Sequence, residues 1–341
     1  MSAFPDDTGG LDAWAGAHVE GFAGPSKAIK YPTGQSNPTY RIETPTGVYV
    51  LRCKPKGLLL KSAHMVEREF RVLRALAGAG FPAPKVLALC EDESVAGSVF
   101  YLMAHVEGRI FWDPGLADSS PQERAVIYDE MNRALARLHR IDVAAAGLAD
   151  FGKPGNYFAR QTQRWAEQYR LSETVAIPEM DRLIAWLAAN MPPDDGRVAL
   201  VHGDFRIDNM IFAQRSPKLL AVLDWELSTI GHPFADLAYQ CMQWRLPNAG
   251  DFRGLAGLDR AALGIPSDED YIAAYCRRTG IDAVPHWPFL IAFSFFRIAA
   301  IVQGVYKRAL DGNASNPERG IKMGAGVPLM AKLAMAEVER A

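Results

Sequence analysis

The sequence predicts an α+β fold, in which a strand-rich N-terminal part is followed by a larger part made mainly of helices. Before residue 104, short apolar segments of alternating pattern are separated by turns that contain Gly and Pro, as is typical of strands. After residue 108, apolar residues recur at helical spacing. The chain has 341 residues, of which 49% are hydrophobic, so it can bury a large core and divide into two lobes.

The N-terminal part combines short strands with one main helix. The helix over 62–77 has one apolar face, because Met65, Phe70, Leu73 and Leu76 recur at helical spacing. The predicted elements are, in order, a helix over Leu11–Val19, two extended segments joined by a turn within 31–42, a strand over Val48–Arg52, the helix Ser62–Ala77, and strands over Lys85–Cys90 and Val99–Met103.

Helices dominate the second part. Ser120 precedes Pro121 and Glu123, which favours a helix start because Ser caps the N-terminus and Pro fits the first turn. We expect this helix to end near His139, which we interpret as a packed histidine rather than a metal ligand. Further helices are predicted within 152–170 and over Asp236–Trp244, Tyr271–Thr279, Trp287–Leu310 and Pro328–Arg340.

Composition argues against several classes of protein. A net charge of −2 does not favour a nucleic-acid binder dominated by phosphate contacts. The start of the chain is acidic and lacks the apolar core of a signal peptide, and the apolar run Phe289–Val302 is too short for a membrane span and contains Arg297. The cysteines are scattered, as expected of reduced thiols in the cytoplasm: Cys53, Cys90, Cys241 and Cys276. We therefore expect a cytoplasmic protein without nucleic-acid or membrane partners.

Polar residues stand at the ends of three short apolar runs in the middle of the chain. The strand-like run Val198–Val201 is followed directly by His202–Asp204. The segment 210–223 contains two apolar runs separated by a polar turn, which predicts a β-hairpin. Antiparallel pairing would place Asn209, before the first strand, beside Asp224, after the second. An amide oxygen and a carboxylate would then face one point.

This arrangement predicts phosphoryl-transfer chemistry. Mg²⁺ prefers oxygen ligands and takes one or two from protein and the rest from water and phosphate, so Asn209 and Asp224 are the candidate metal ligands. Asp204 is the candidate catalytic residue, since a carboxylate beside the metal can accept or orient a hydroxyl proton. The spacing from His202 through Asp204 to Asn209 is that of a kinase catalytic loop.

With these motifs, the sequence resembles the aminoglycoside phosphotransferase-like kinase family. It is more similar still to the subgroup that is fused to acyl-CoA dehydrogenases in some animal proteins and stands alone in bacteria. The family resemblance rests on His202-Gly203-Asp204 with Asn209, Asp224-Trp225-Glu226, and Gly231-His232-Pro233 with Asp236-Leu237-Ala238. The subgroup resemblance rests on Gly34-Gln35-Ser36-Asn37, Tyr49-Val50-Leu51-Arg52, Ala63-His64 with Arg68-Glu69, and Phe100-Tyr101-Leu102-Met103.

The resemblance implies a bilobal protein-kinase-like fold that uses ATP and Mg²⁺. A small antiparallel-sheet lobe would occupy residues 1–103, a hinge 104–108, and a mainly helical catalytic and acceptor-binding lobe 109–341. The turn Gly34, Gln35, Ser36 and Asn37 would lie over the nucleotide phosphates, although only one of its residues is glycine. The backbone of Met103, Ala104 and Val106 would read the adenine edge.

The resemblance also assigns a cation to the nucleotide phosphates. Arg52 stands where these kinases carry that cation, with Lys54 as the alternative because side chains two apart in a strand point the same way. Glu69 would pair with the strand cation, and Glu67 is the alternative partner.

Two further residues are expected to be structural. The resemblance gives Asp236 the role of accepting hydrogen bonds from the backbone of the catalytic loop, and gives His202 the role of positioning that loop. His202 has no Ser or Cys nucleophile near it in sequence, so a hydrolytic triad is a poor interpretation.

The acceptor is the least determined part of the prediction. Arg160 and Arg164 alternate with aromatic residues and could form a wall for the acceptor, and Arg297 in its apolar segment needs either a carboxylate partner or an anionic ligand. The last segment carries more basic residues (Arg297, Lys307, Arg308, Arg319, Lys322) than acidic ones (Asp311, Glu318). That balance disfavours a polycationic aminoglycoside and favours an anionic alcohol.

The subgroup's link to acyl-CoA dehydrogenases implies, more narrowly, a hydroxyacyl-CoA whose alcohol is phosphorylated. The alternatives are an antibiotic phosphotransferase and, in another class of protein, a nucleotide-binding pseudokinase that serves as an interaction module. The presence of all three of Asp204, Asn209 and Asp224 disfavours the pseudokinase.

Overall fold

The chain divides into two compact units. The computed structural model describes residues 8–32, 37–55, 65–249, 253–313 and 316–340. The first unit comprises the residues up to Arg109 together with Ile211–Gln214 and Leu220–Ser228, and the second comprises the remainder. The first division falls next to the predicted hinge 104–108. Most of the hairpin, which the sequence assigned to the C-terminal lobe, groups instead with the first unit.

A five-stranded antiparallel sheet forms the centre of the first unit, as predicted. Its strands are β1 (Lys27–Lys30), β2 (Thr39–Thr44), β3 (Gly47–Cys53), β4 (Val86–Cys90) and β5 (Phe100–Ala104). They lie in the order β1-β2-β3-β5-β4. The first unit also contains the helices α1 (Gly9–His18), α2 (Val66–Gly78) and α3 (Glu93–Ala96).

The two faces of this sheet have different partners. Alternate residues of β2, β3 and β5 point to one face, where they form a buried apolar cluster with α1: Leu11, Ala15, Tyr40, Ile42, Leu51, Cys53, Phe100 and Leu102. Helix α2 packs near β4 and β5 and contributes Val72 and Leu76. Arg52 lies opposite Tyr101 in the β3–β5 register. Because both are out of phase with the apolar cluster, they point towards α2, and this orientation brings Arg52 to Glu69.

Two local differences from the prediction have simple causes. Helix α2 is described from Val66, and the predicted start at 62–64 lies outside the described residues. The short helix α3 occupies the loop predicted between two strands. It forms because the Asp92 side chain accepts a hydrogen bond from the Ser94 N–H at 2.9 Å, while Gly97 ends the helix at φ 76°.

The second unit is mainly helical, as the sequence predicts. Its helices are α4 (Pro121–His139), α5 (Tyr157–Ser172), α6 (Pro178–Ala189), α7 (Phe234–Gln243), α8 (Arg260–Leu263), α9 (Asp268–Thr279), α10 (Trp287–Leu310), α11 (Pro317–Gly324) and α12 (Val327–Glu339). Helix α4 begins as predicted, since the Ser120 hydroxyl accepts a hydrogen bond from the Glu123 N–H at 3.1 Å. Asp236 does not begin α7 but lies in its first turn.

Short strands present the polar residues of the central stretch. They are β6 (Ala199–Val201), β7 (Met210–Phe212), β8 (Leu219–Val222) and β9 (Thr229–Gly231). Strand β6 pairs antiparallel with β9, and β7 pairs with β8 in the predicted hairpin. The hairpin is attached to the first unit by a hydrogen bond from the Val222 N–H to the Pro82 carbonyl at 2.9 Å, and the Trp225 ring packs edge-on against Phe81.

Helix α10 is the central helix of the second unit and packs against α5, α7, α11 and α12. Its 24 residues make it longer than the apolar run seen in the sequence, and by length and hydropathy alone it could cross a membrane. However, 72% of its most apolar window is buried inside the protein, as expected of a core helix. This burial is the reason for its all-round apolar character.

Candidate active site

The loop after β6 is held by a buried carboxylate. Asp236 is 1% exposed, and its Oδ2 and Oδ1 accept hydrogen bonds from the His202 N–H at 2.6 Å and the Gly203 N–H at 2.8 Å. The His139 Nε2 lies 3.3 Å from Oδ2. Burial opposes ionisation, but His139 and the backbone donors hold the pKa of Asp236 below its usual value. The predicted acceptance of loop hydrogen bonds by Asp236 is therefore present.

Within this loop, Gly203 and His202 have backbone roles. Gly203 adopts φ 84°, a left-handed conformation that favours glycine. His202 is fully buried, and its Nδ1 accepts a hydrogen bond from the Asp204 N–H at 3.1 Å. His202 thus orders the main chain of the loop, in agreement with a positioning role.

The Asp204 carboxylate is oriented by two neutral donors. Its Oδ1 accepts a hydrogen bond from the Tyr239 hydroxyl at 2.6 Å, and its Oδ2 accepts one from the Asn209 Nδ2 at 2.9 Å. Tyr239 follows Asp236 by one turn of α7, so the two side chains lie on one face of the helix. Helix α7 therefore positions both the backbone of the loop and the side chain of Asp204.

A cation and a second carboxylate complete the charge distribution of the loop. The Arg206 guanidinium lies 2.9 Å from an oxygen of Asp208 and 3.6 Å from Oδ2 of Asp204. Burial would raise the pKa of Asp204, but Arg206 and the Tyr239 hydrogen bond hold it below its usual value. Asp204 is therefore ionised at neutral pH and suited to accept a hydrogen bond from an alcohol.

Asn209 has an oxygen to spare for a cation. Its Nδ2 donates to both the backbone carbonyl and the Oδ2 of Asp204, each at 2.9 Å. Both amide hydrogens are thereby used, and the Oδ1 accepts no hydrogen bond from any described residue. An amide oxygen left in this way is a suitable ligand for a hard cation such as Mg²⁺.

In the first unit, Arg52 joins three carboxylates. Its Nε lies 2.7 Å from Glu69, and its Nη2 lies 2.7 Å from Asp224 and 3.3 Å from Glu226. Although burial disfavours the charged form, the carboxylates of Glu69 and Asp224 hold the pKa of Arg52 well above its usual value. The predicted pairing of Arg52 with Glu69 is present. One cation among three carboxylates leaves the cluster with net negative charge, which suits a divalent cation.

The two alternative residues form a pair of their own. Lys54 forms an ion pair with Glu67, which lies two residues before Glu69 in α2. This pair is partly exposed, whereas Glu69 is 2% exposed. Asn37, from the predicted phosphate turn, donates to Glu69 at 2.5 Å. Arg52 and Lys54 therefore pair with different glutamates of α2.

Asp224 follows β8 in an unusual conformation. It adopts φ 63°, which non-glycine residues adopt less often and Asp more readily than most. Its Oδ1 pairs with Arg52, its Oδ2 has no hydrogen-bond partner among the described residues, and its side chain is 35% exposed. Like Asn209 in the second unit, Asp224 in the first has an oxygen left over. Their joint binding of Mg²⁺ stays a prediction.

The predicted nucleotide contacts are only partly described. Gly34, Gln35 and Ser36 lie outside the described residues. Met103 and Ala104 belong to the end of β5, and the Ala104 N–H donates to the Lys85 carbonyl at 2.8 Å. That N–H is therefore engaged in the sheet. Val106 follows the strand in an irregular segment, where its backbone is the better candidate for reading a base.

The acceptor candidates differ in their surroundings. Arg160 donates to the carbonyls of Lys153 and Pro154 and thereby closes the loop before α5. Arg164 stacks on Trp165, at 5.4 Å from the ring centroid. Arg297 is 6% exposed and donates from Nη1 to the Gly203 carbonyl at 2.6 Å. Among the described residues, its partner is thus a carbonyl rather than a carboxylate.

Three residues of these clusters were not singled out from the sequence: Arg206, Asp208 and Tyr239. His139 was expected to be a packed histidine, and its side chain is buried, but its contact with Asp236 was not predicted. Tyr239 could have been found from its spacing of three residues after Asp236 on a predicted helix. Arg206 and Asp208 lie inside the motif itself. His139 carries no local signal, since its partners are 97 and 136 residues away.

Comparisons with known proteins identify the family of the chain. A family model described as the phosphotransferase enzyme family matches residues 27–287. Acyl-CoA dehydrogenase family member 10 of Mus musculus is 51% identical over 294 residues, which are 86% of this chain and 27% of that protein. Family member 11 of Rattus norvegicus is 42% identical over 95% of this chain and 42% of that protein. The chain thus spans less than half the length of these relatives.

Solved structures share the fold. A candidate aminoglycoside phosphotransferase from Ralstonia eutropha is 49% identical, with a TM-score of 0.88 and coverage of 99% of both chains. A spectinomycin phosphotransferase in complex with ADP and spectinomycin has a TM-score of 0.64 at 11% identity, over 98% of this chain and 99% of that one. At this identity the second likeness concerns the fold alone. The kinase-like fold expected from the sequence, with its N-terminal sheet and helical C-terminal part, is confirmed.

Replacing Asp236 with Asn should lower the free energy of unfolding by about 2–4 kcal/mol, because a buried charged acceptor of two backbone hydrogen bonds is lost. Urea denaturation measures this change. Because the folded pKa of Asp236 lies below the unfolded one, its stabilisation is present at neutral pH and lost as the pH falls through the folded pKa.

The matched control is Asp195→Asn, since Asp195 also contacts a histidine, His232 at 3.0 Å, but is 33% exposed. We expect this control to cost less than about 1 kcal/mol. Equal losses in the two variants would contradict the role assigned to Asp236.

Proposed function

The chain belongs to the phosphotransferase enzyme family and is a kinase with an alcohol group as acceptor; from this premise, we propose that it transfers the γ-phosphoryl group of ATP, with Mg²⁺, to a small anionic alcohol. The observation that carries the proposal is the orientation of the Asp204 carboxylate by Tyr239 and Asn209. An ionised carboxylate held in this way is what the acceptor hydroxyl of a phosphoryl transfer requires.

The proposed reaction forms one bond and breaks one. The acceptor oxygen bonds to the γ-phosphorus, and the bond between that phosphorus and the β,γ-bridging oxygen breaks, so that ADP leaves. The hydroxyl proton passes to Asp204 and then to solvent. Since the pKa of Asp204 is low, its main contribution is to orient the hydroxyl, and proton transfer occurs late, as in a loose phosphoryl-transfer transition state.

The proposed metal ligands are Asn209 and Asp224. Each keeps an oxygen without a hydrogen-bond partner in the described part of the chain. No group of three or more His, Cys, Asp or Glu side chains in the described residues forms a metal cage, which agrees with a cation that takes most of its ligands from phosphate and water. When bound, Mg²⁺ would neutralise phosphate charge.

Arg52 is the proposed phosphate cation. Its burial and its brace by Glu69 support this assignment over Lys54, whose pair with Glu67 is partly exposed. A braced guanidinium loses little side-chain entropy when a phosphate arrives. Val106 is proposed to contact the base.

For the acceptor we propose a hydroxyacyl-CoA or a related anionic alcohol. The names of the relatives, acyl-CoA dehydrogenase family members 10 and 11, support acyl chemistry. The charge count of the last segment contributes less, because Lys307 pairs with Asp311 and Arg297 is buried. An aminoglycoside acceptor is the second candidate, favoured by the likeness to the Ralstonia eutropha protein.

ATP consumption with Mg²⁺ should be detected with hydroxyacyl-CoAs or hydroxy acids and should exceed that with simple sugars, choline or aminoglycosides. A coupled ADP assay across these acceptors measures it. Asp204→Ala should reduce turnover by at least about a hundredfold while ADP still binds, because the residue acts on the hydroxyl and not on the nucleotide.

The alternatives give different results in this assay. Turnover with aminoglycosides alone would replace the anionic acceptor with a cationic one. ATP binding without turnover of any acceptor would favour a nucleotide-binding interaction module. Unchanged turnover in Asp204→Ala would remove Asp204 from its catalytic role.

Arg52→Gln should weaken ADP binding about tenfold or more, whereas Lys54→Gln should weaken it less than about threefold, because only Arg52 is buried and braced. Calorimetric titration with MgADP measures both variants. Glu69→Gln and Glu67→Gln form the matched second pair and should rank in the same order. The reverse ranking would assign the phosphates to Lys54.

Tyr239→Phe should lower kcat by about tenfold and leave the KM for ATP unchanged, since one hydrogen bond to Asp204 is worth about 1–1.5 kcal/mol. Steady-state kinetics provides this split between kcat and KM. Tyr271→Phe is the control, because that buried hydroxyl has no hydrogen-bond partner among the described residues. An equal loss of kcat in both variants would contradict a specific role for Tyr239.

A further inference from the structure

Arg297 is a buried cation that has no carboxylate partner among the described residues. It lies in the middle of the apolar helix α10 and is 6% exposed. Its only hydrogen bond to a described residue runs from Nη1 to the Gly203 carbonyl at 2.6 Å, and it forms no ion pair with a described carboxylate. Most of its five N–H donors are thus unused.

Two other arginines in the described part of the chain have more acceptors. Arg124 is 7% exposed and also lacks a carboxylate, but its three nitrogens donate to four carbonyls, of Gly115, Leu116, Ala117 and Leu263. Arg52 has three carboxylates. Arg297 therefore differs from both, because the described part of the chain supplies an acceptor for only one of its nitrogens.

Arg297 lies beside two aromatic rings, one of which belongs to the tyrosine that binds the proposed catalytic carboxylate. Its guanidinium carbon lies 5.7 Å from the Tyr239 ring and 6.0 Å from the Trp165 ring. Neither its Nε nor its Nη2 donates a hydrogen bond to a described residue. The Tyr239 hydroxyl donates a hydrogen bond to Asp204. One tyrosine side chain therefore lies between Arg297 and the proposed position of the acceptor hydroxyl.

The N–H groups of a guanidinium lie in one plane and point outward from its edge. That geometry matches the two lone pairs of a planar acyl oxygen, in a carboxylate or a thioester carbonyl. A buried cation with few hydrogen-bond acceptors is costly to maintain, so a site of this kind is expected to receive an acceptor oxygen, either of a carboxylate or of a carbonyl, when it functions.

We propose that Arg297 is a specificity-determining residue that binds an acyl oxygen of the acceptor while the acceptor hydroxyl binds Asp204. This inference rests on the proposed kinase function and deepens it, since it requires the acceptor to carry a hydroxyl and an acyl oxygen in one small molecule. Trp165 and Tyr239 form the apolar walls between which the acyl carbon lies. A polycationic acceptor is repelled at the same position.

The test measures the turnover of matched acceptors by the intact chain. Linear hydroxy acids of three to eight carbons are assayed with their coenzyme A thioesters and with diols of equal chain length, which keep the hydroxyl and lack the acyl oxygen. We expect a kcat/KM at least tenfold higher for an acid or thioester than for the matched diol. The acid and thioester arms distinguish a carboxylate from a carbonyl as the bound group.

Variants then assign this preference to Arg297. Arg297→Lys retains the charge without the planar edge and should raise the KM for the preferred acceptor at least tenfold, with the KM for ATP unchanged. Arg170→Gln is the control, since this exposed arginine also lies over an aromatic ring, that of Tyr169, and has no proposed role in binding; it should leave the acceptor preference intact.

The outcomes separate this inference from the proposed function. Equal use of diols and acids by the native protein would overturn the inference and leave the kinase assignment standing. Turnover of no acceptor would overturn the kinase assignment itself. An acid preference that persists in Arg297→Lys would also overturn the role of Arg297. If the variant fails to fold, the comparison of acids with diols in the native protein still decides whether an acyl oxygen is recognised.

Discussion

The hydrogen bonds from a loop backbone to the buried carboxylate of Asp236 are the interaction on which the candidate catalytic site depends. His202 and Gly203 follow the last residue of β6, so their N–H groups do not belong to the strand pairing. Without another acceptor, these buried N–H groups would be unsatisfied. A carboxylate in a medium of low polarity satisfies both strongly. Once the loop is fixed, Asp204 and Asn209 have defined positions.

Neighbouring elements add to this arrangement without repeating it. Helix α7 supplies Asp236 to the backbone and Tyr239 to the side chain of Asp204. Helix α10 supplies Arg297, which donates to the carbonyl of Gly203, the same residue whose N–H is held by Asp236. One glycine residue is thus fixed at its donor and at its acceptor by different helices, and this contact uses only one nitrogen of Arg297.

In the first unit, the central charged group is a cation rather than a carboxylate. Arg52 is buried between Glu69 on α2 and the acidic residues after β8, and its charge permits those carboxylates to approach one another. The alternating register of β3 and β5 directs Arg52 to this face with Tyr101, away from the apolar cluster under α1. A one-residue shift in register would bury an apolar side chain there and turn the cation away.

Local pattern in the sequence determined the α+β class, the β-hairpin, and the succession of strands and most helices along the chain. It also determined the motif that contains Asp204, Asn209 and Asp224. These features arise from neighbours along the chain. Tertiary structure alone decided which partners the charged groups meet. The contact of His139 with Asp236, the carbonyl bound by Arg297 and the grouping of the hairpin with the N-terminal sheet all join residues about 90 or more positions apart. No local periodicity encodes such contacts, since they follow from how whole elements pack.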